Sequence, residues 1–172
     1  MQGNFEECLK LVLKSEGGYT NDSRDAGGMT NLGITQKSLE EWLGHDVDEK
    51  FMRNLTPEMA APFYEQKYWR SCYGEVLPRG LDLVVFSMGI NAGPGRSVKL
   101  LQSAIGCVPD GIIGPATRGL ILGGNSATFI SKFSEARRDY YRALKSFPVF
   151  GKGWLARVDS EEKEALNMAK NG

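Results

Sequence analysis

The chain has a single histidine, His45, and only three cysteines, Cys8, Cys72 and Cys107, among 172 residues. An odd cysteine count without a short paired spacing argues against a disulfide framework and against a redox or zinc motif. Folding in a reducing compartment is therefore expected. One imidazole leaves a zinc site short of its usual ligands, and His45, following Gly44 in a polar connector, reads as a surface residue. No metal and no cofactor is expected. An excess of one charge is also missing, because 21 basic residues are balanced by 21 acidic ones. Nucleic-acid binders gather basic residues into a stripe or cluster. The densest basic pair here, Arg137-Arg138, falls in a helical pattern and reads as a solvated face, so no nucleic-acid partner is expected. No apolar run approaches the roughly 20 residues of a membrane span, and residues 1–10 lack the basic start and apolar stretch of a signal peptide. Membrane insertion is not expected, and synthesis in the cytoplasm is.

Size and composition point to a folded protein. The length suits one compact domain, or one with a small appended region, and can bury a core without staples. Hydrophobic residues at 41% and charged residues at 24% are ordinary for a globular chain. Residues 5–16 carry Phe5, Cys8, Leu9, Val12 and Leu13 at three- and four-residue spacing, an amphipathic helix with Asn4 as a plausible N-cap. Residues 17–33, GGYTNDSRDAGGMTNLG, break that pattern and read as a long functional loop or an irregular β-hairpin. Further helices are expected after Thr35, from Thr56-Pro57 onward, over 81–90, 97–105 and 126–144, after Gly114-Pro115, and over 155–170. The expected fold is mainly α, a helical domain with a small irregular β-hairpin or loop element near the N-terminus.

One residue is out of place in this pattern. On a helical wheel Glu16 falls about 20° from Phe5, which continues the greasy stripe of the first helix. A carboxylate there is costly unless paired or protonated, and burial favours the protonated form. A carboxylic acid that keeps its proton near neutrality can protonate a leaving-group oxygen, as glycoside cleavage requires. A Glu at a frayed helix end, solvated or paired with Lys14, is the plain alternative. The following loop tips the balance, since it supplies Asp25 nine residues on, then Thr30 and Asn31 after Gly27-Gly28. These could hold a water beside the second carboxylate, or could simply bond their own turns. Asp22 is better read as an Asx-turn residue.

Residues 16–35, EGGYTNDSRDAGGMTNLGIT, resemble the N-terminal signature of glycoside hydrolase family 108, a lysozyme-like muramidase group. The family pattern reads E-G-G-Y-x-N-D-P-x-D-x-G-G-x-T-N-x-G-I-T, and Ser23 stands at its Pro. Tyr68-Trp69, then Leu77-Pro78 with Gly80-Leu81-Asp82, resemble later family motifs. FSMGINAG, residues 86–93, resembles F-D-x-A-V-N-S-G, but has Ser87 at the Asp and Gly89 at the Ala. Leu100-Leu101-Gln102 and PDGIIGPAT, residues 109–117, resemble the peptidoglycan-binding region that accompanies the catalytic domain.

The resemblance implies a lysozyme-like fold, with a catalytic region over 1–90 and a helical peptidoglycan-binding region over 91–172 packed on it. It implies an N-acetylmuramidase that cleaves the β-1,4 bond between N-acetylmuramic acid and N-acetylglucosamine. Glu16 would be the catalytic acid, with Asp25 and Thr30 as partners that favour an inverting outcome. Asn31, Tyr68, Trp69, Asn91 and Asp110 are the expected substrate-binding residues. The partners would be glycan strands and stem peptides, engaged by a monomer. A phage endolysin, reaching the wall after holin-type or dedicated release, is the expected setting; a secretion-associated bacterial muramidase and a lytic transglycosylase are the alternatives. A non-catalytic wall binder lacks a reason for Glu16, Asp25 and Thr30 together. A phosphate site in GPGRSVK, residues 93–99, lacks the full P-loop spacing.

Overall fold

The computed structural model describes residues 3–22, 24 and 28–172. Among them are nine α-helices and one two-stranded sheet, in the order α1 (Gly3–Leu13), β1 (Thr30–Asn31), β2 (Ile34–Thr35), α2 (Gln36–Leu43), α3 (Glu49–Arg53), α4 (Pro57–Tyr64), α5 (Leu81–Ala92), α6 (Pro94–Ile105), α7 (Pro115–Gly123), α8 (Ser126–Arg142) and α9 (Phe147–Lys170). A π-helical turn, Glu65–Trp69, follows α4. The mainly α architecture with a small β element near the N-terminus is the one expected. No helix among the described residues is long and apolar enough to cross a membrane. The chain forms two compact units, residues 5–67 and residues 68–172, the latter joined by Asn4.

In the unit of residues 5–67, α1 buries the stripe Phe5, Cys8, Leu9 and Val12 that its periodicity marks. The helix stops at Leu13, three residues earlier than the pattern suggests. β1 and β2 pair antiparallel, Thr30 opposite Thr35 and Asn31 opposite Ile34. Their two-residue turn has both central residues at positive φ, Leu32 at 51° and Gly33 at 77°, the sign pattern that matches the twist of a tight hairpin. Three helices begin on side-chain caps. Thr35 Oγ1 accepts from the backbone N–H of Ser38, Asp48 Oδ1 from that of Phe51 and Thr56 Oγ1 from that of Met59, each satisfying a donor that the first helical turn leaves open. Pro57 occupies the first turn of α4, as the Thr-Pro pair suggests.

In the unit of residues 68–172, α5 is the hub. Leu81 to Gly89 are all buried, and the helix packs on α6, α8 and α9. An all-round apolar helix needs neighbours on every side, which explains why residues 81–90 carry no amphipathic pattern. Gly89 is required by close approach, because a Cβ there would lie 2.3 Å from Cys72 Sγ. The thiol thus fills the space that the Ala of the family pattern would use. Asp82 is wholly buried at the start of α5. Its Oδ1 accepts from the backbone N–H groups of Gly80 and Leu83, both at 2.8 Å, and its Oδ2 accepts from Asn4 Nδ2 at 2.9 Å. Burial pushes the Asp82 carboxyl up to about 6, against the lowering pull of those donors and of Arg79. A second buried polar group joins three helices. Ser87 of α5 donates to Glu161 Oε1 of α9 at 2.7 Å, and Arg137 of α8 donates to Glu161 Oε2 at 2.7 Å. Burial works to raise the Glu161 carboxyl, but the charges of Arg137 and Arg157 outweigh it and hold it below its ordinary value.

Candidate active site

Glu16 lies beyond the end of α1, not on its wheel. After Leu13 the chain tightens, Ser15 N–H bonding Val12 O at 3.0 Å and Glu16 N–H bonding Leu13 O at 3.2 Å. This swings the side chain toward the hairpin. Glu16 is half-buried, and its Oε1 is closed to solvent. The carboxyl lies over the hairpin turn: a Cβ built on Gly33 would meet Glu16 Oε2 at 2.8 Å and the Tyr64 hydroxyl at 2.7 Å. Tyr64, buried on α4, donates that hydroxyl to Leu32 O at 2.6 Å. The missing side chain at 33 and the tyrosine from α4 therefore set the floor on which the carboxyl rests. Leu32 faces away, lining a groove of about 810 Å³ with Leu9, Leu13, Pro57 and Ala61.

The segment after Glu16 is tied down at two points. Tyr19 bonds Glu49 through its hydroxyl at 3.3 Å and lies under the Arg53 guanidinium, 4.3 Å from ring centroid to Cζ. Thr20 then pairs with Thr30 in an isolated antiparallel bridge, and their hydroxyls lie 2.5 Å apart. Thr30 is thus held between Thr20 and Thr35, one residue from the turn under Glu16. Asn31 points the other way: it is buried, and its Nδ2 donates to Met52 O at 2.8 Å, fastening β1 to α3. Asp22 accepts from the backbone N–H of Arg24 at 2.9 Å and pairs with its guanidinium at 2.8 Å, the Asx turn expected of it. Asp25 lies outside the described residues.

The remaining candidates lie in the unit of residues 68–172. Trp69 is 1% exposed and meets Phe86 edge-on at 5.3 Å, so no ring face remains for a sugar to stack on. Tyr68 is half-buried beside it in the chain. Asp110 belongs to a turn rather than a groove, its Oδ1 accepting from Ile112 N–H and Gln102 Nε2, both at 2.9 Å. Those donors hold its carboxyl below the usual range, the Ile112 N–H most of all. Gln102, fully buried, also bonds Ile112 O, Thr117 Oγ1 and Gly111 N–H. The PDGIIGPAT turn is therefore knitted around one amide. Asn91 is exposed at the end of α5 and bonds the Tyr141 hydroxyl at 3.2 Å. Among the described residues no cluster of His, Cys, Asp and Glu could hold a metal ion.

A carboxyl perched on the turn of a Gly-floored two-stranded hairpin agrees with the family comparison. Residues 9–93 match the model of glycosyl hydrolase 108. The solved structure of SagA from Brucella abortus superimposes with a TM-score of 0.85 at 34% sequence identity, covering 98% of this chain and 97% of that one. The chain belongs to glycosyl hydrolase family 108. No curated protein matches it. As a family 108 member it is a glycoside hydrolase, and the expectation of a peptidoglycan-cleaving muramidase holds at the level of the family. Gly33 and Tyr64, which residue patterns left unassigned, are the residues that meet at the Glu16 carboxyl. Gly33 stands within the signature itself, whereas Tyr64 lies on α4, outside it.

Proposed function

We propose that this family 108 protein is an N-acetylmuramidase whose general acid is Glu16, acting on the β-1,4 bond between N-acetylmuramic acid and N-acetylglucosamine. The observation that carries this reading is the Glu16 carboxyl itself, with one oxygen shielded from solvent and the other against Gly33. Such a group can deliver a proton to a glycosidic oxygen while the hairpin keeps its orientation. Asp25 and Thr30 are assigned to the water or to the oxocarbenium-like transition state, which makes the reaction an inverting one. Wall binding is assigned to residues 91–172. The setting we infer is host lysis by a phage endolysin that reaches the periplasm through a pore. The likeness to a Brucella protein favours a second reading, a bacterial muramidase exported by its own route.

Mass spectrometry of muropeptides released from Gram-negative walls tests the chemistry. Reducing ends are expected from the parent chain, and anhydro ends would make it a lytic transglycosylase. Glu16→Gln should lose roughly 10²–10⁴-fold in rate, with a milder loss for Thr30→Ala. A folded Glu16→Gln protein that kept most of its lytic activity would end the assignment.

A further inference from the structure

The outward face of α9 changes character along its length. The exposed face of a surface helix is ordinarily polar and charged, and from Asp159 onward α9 follows that rule, with Asp159, Ser160, Lys163 and Glu164 exposed. Its first turns do not. There the solvent-facing positions include Val149, Lys152, Gly153 and Ala156, at the three- and four-residue spacing of one helix face. Val149 is 76% exposed, and Phe150 beside it is 56% exposed. Phe150 rests at a tilt on Trp154, 5.8 Å between ring centroids. One side of the ring is thus supported while the rest meets water.

The charge around this apolar face has one sign. Between Asp139 and Asp159 the sequence carries Arg142, Lys145, Lys152 and Arg157 and no acidic residue. The arginines are engaged elsewhere, Arg142 with Glu135 and Asp139 and Arg157 with Glu161. The lysines are not. Lys145, in the corner between α8 and α9, and Lys152, one turn after Val149, are both exposed, and neither forms an ion pair among the described residues. The two acids that bound the stretch are held by arginines, Asp139 by Arg142 and Asp159 by Arg138. The corner therefore presents two projecting apolar side chains flanked by two uncompensated ammonium groups.

Large apolar side chains left in water mark a surface that something covers. A glycan does not fit this one, because sugar hydroxyl and acetamido groups need hydrogen-bond partners and Val149, Phe150, Gly153 and Ala156 offer none from their side chains. An anionic bilayer does fit. Its acyl boundary receives apolar tips, and its phosphates attract lysines whose long stems lie along the apolar surface while the ammonium groups reach the headgroups. We propose that the start of α9 adsorbs the protein to an anionic phospholipid surface, Val149 and Phe150 entering the boundary between headgroups and acyl chains and Lys145 and Lys152 meeting the phosphates. The contact is shallow and reversible, since no described helix is long and apolar enough to span a membrane. It goes beyond the glycosidase reading and does not rest on it.

Co-sedimentation of the full chain with vesicles tests this, using equal parts phosphatidylglycerol and phosphatidylcholine against phosphatidylcholine alone. The parent is expected to pellet with the anionic vesicles and to stay in solution with the neutral ones. Raising salt from about 0.1 M to about 1 M, which shortens the screening length from about 10 Å to about 3 Å, should release it. Lys145→Ser combined with Lys152→Ser should weaken partitioning about twentyfold, each lysine near an anionic surface contributing about fivefold. Phe150→Ser should weaken it about tenfold by removing buried apolar area. These positions are exposed, and circular dichroism checks that the variants fold like the parent. Absence of anionic-vesicle binding, equal binding to neutral vesicles, or folded variants that bind like the parent would each overturn the proposal. So would a parent dimer that Phe150→Ser converts to a monomer in sedimentation velocity, because the face would then belong to a second copy. The vesicles contain no glycan strand, so failure of the glycosidase assignment would appear in the released muropeptides and leave this measurement unmoved.

Discussion

At the scale of single residues, the site depends on a side chain that is absent. Gly33 leaves the space where Glu16 Oε2 and the Tyr64 hydroxyl converge. Gly33→Ala would push a methyl into both groups, and it would also place a Cβ at positive φ, costing roughly 1–2 kcal/mol. The expected outcome is a large drop in kcat with a folded protein, read by wall turbidity and by circular dichroism; undiminished kcat would mean that the carboxyl does not need this floor. Tyr64→Phe removes the hydroxyl that donates to Leu32 O. It should cost about 1 kcal/mol of stability and a smaller part of the rate. The proposed acid, Glu16, stood out in the sequence on a helical-wheel argument that the structure alters. The wheel argument assumed that α1 continued to 16, whereas the helix ends at Leu13, and the hairpin turn rather than the helix face lies against its carboxyl. Long-range partners such as Tyr64, 32 residues from Leu32, leave no local periodic trace.

At the scale of elements, local signals succeeded where capping chemistry is local. Thr56-Pro57 opens α4 as expected, and Thr35 caps α2. The segment 126–144 forms α8 as Ser126–Arg142, one residue after the Asn125 cap. Boundaries failed where glycine and proline misled. α9 begins at Phe147, eight residues before the expected start at 155, although its first turns contain Pro148, Gly151 and Gly153. Proline is harmless in a first helical turn, and at Gly151 a Cβ would strike the Phe147 ring at 2.3 Å. The glycine is thus a packing residue, not a breaker. The same logic places Pro94 inside the first turn of α6, a helix expected to start at 97. The five-residue α3 and the π-helical turn after α4 are too short to leave a periodic pattern. Trp69 illustrates the ambiguity of aromatic signals: one Tyr-Trp pair suits a sugar platform and a core equally well, and burial against Phe86 decides for the core.

At the scale of the whole molecule, buried carboxyls tie stability to pH. Asp82 titrates at about 6 when folded, against an ordinary value of 3.8. Between those values the folded chain holds a proton that the unfolded chain has released. This contribution is therefore complete below about pH 4 and is lost as pH rises through 6. Its size is about 3 kcal/mol at most. Urea denaturation from pH 4.5 to 7 should show stability declining across that window, and Asp82→Asn should flatten the decline; parallel curves for the two proteins would rule out Asp82 as the source.

The contact between Cys72 and Gly89 has a kinetic consequence. The sulfur is seated against bare backbone, wholly out of solvent, and burial pushes its thiol up to about 12, so almost none of it is the reactive anion at neutrality. An alkylating reagent can reach it only when α5 separates from its surroundings. The modification rate of this one sulfur is thus a stopwatch for how often the centre of residues 68–172 comes apart, started by the molecule itself and requiring no engineered probe.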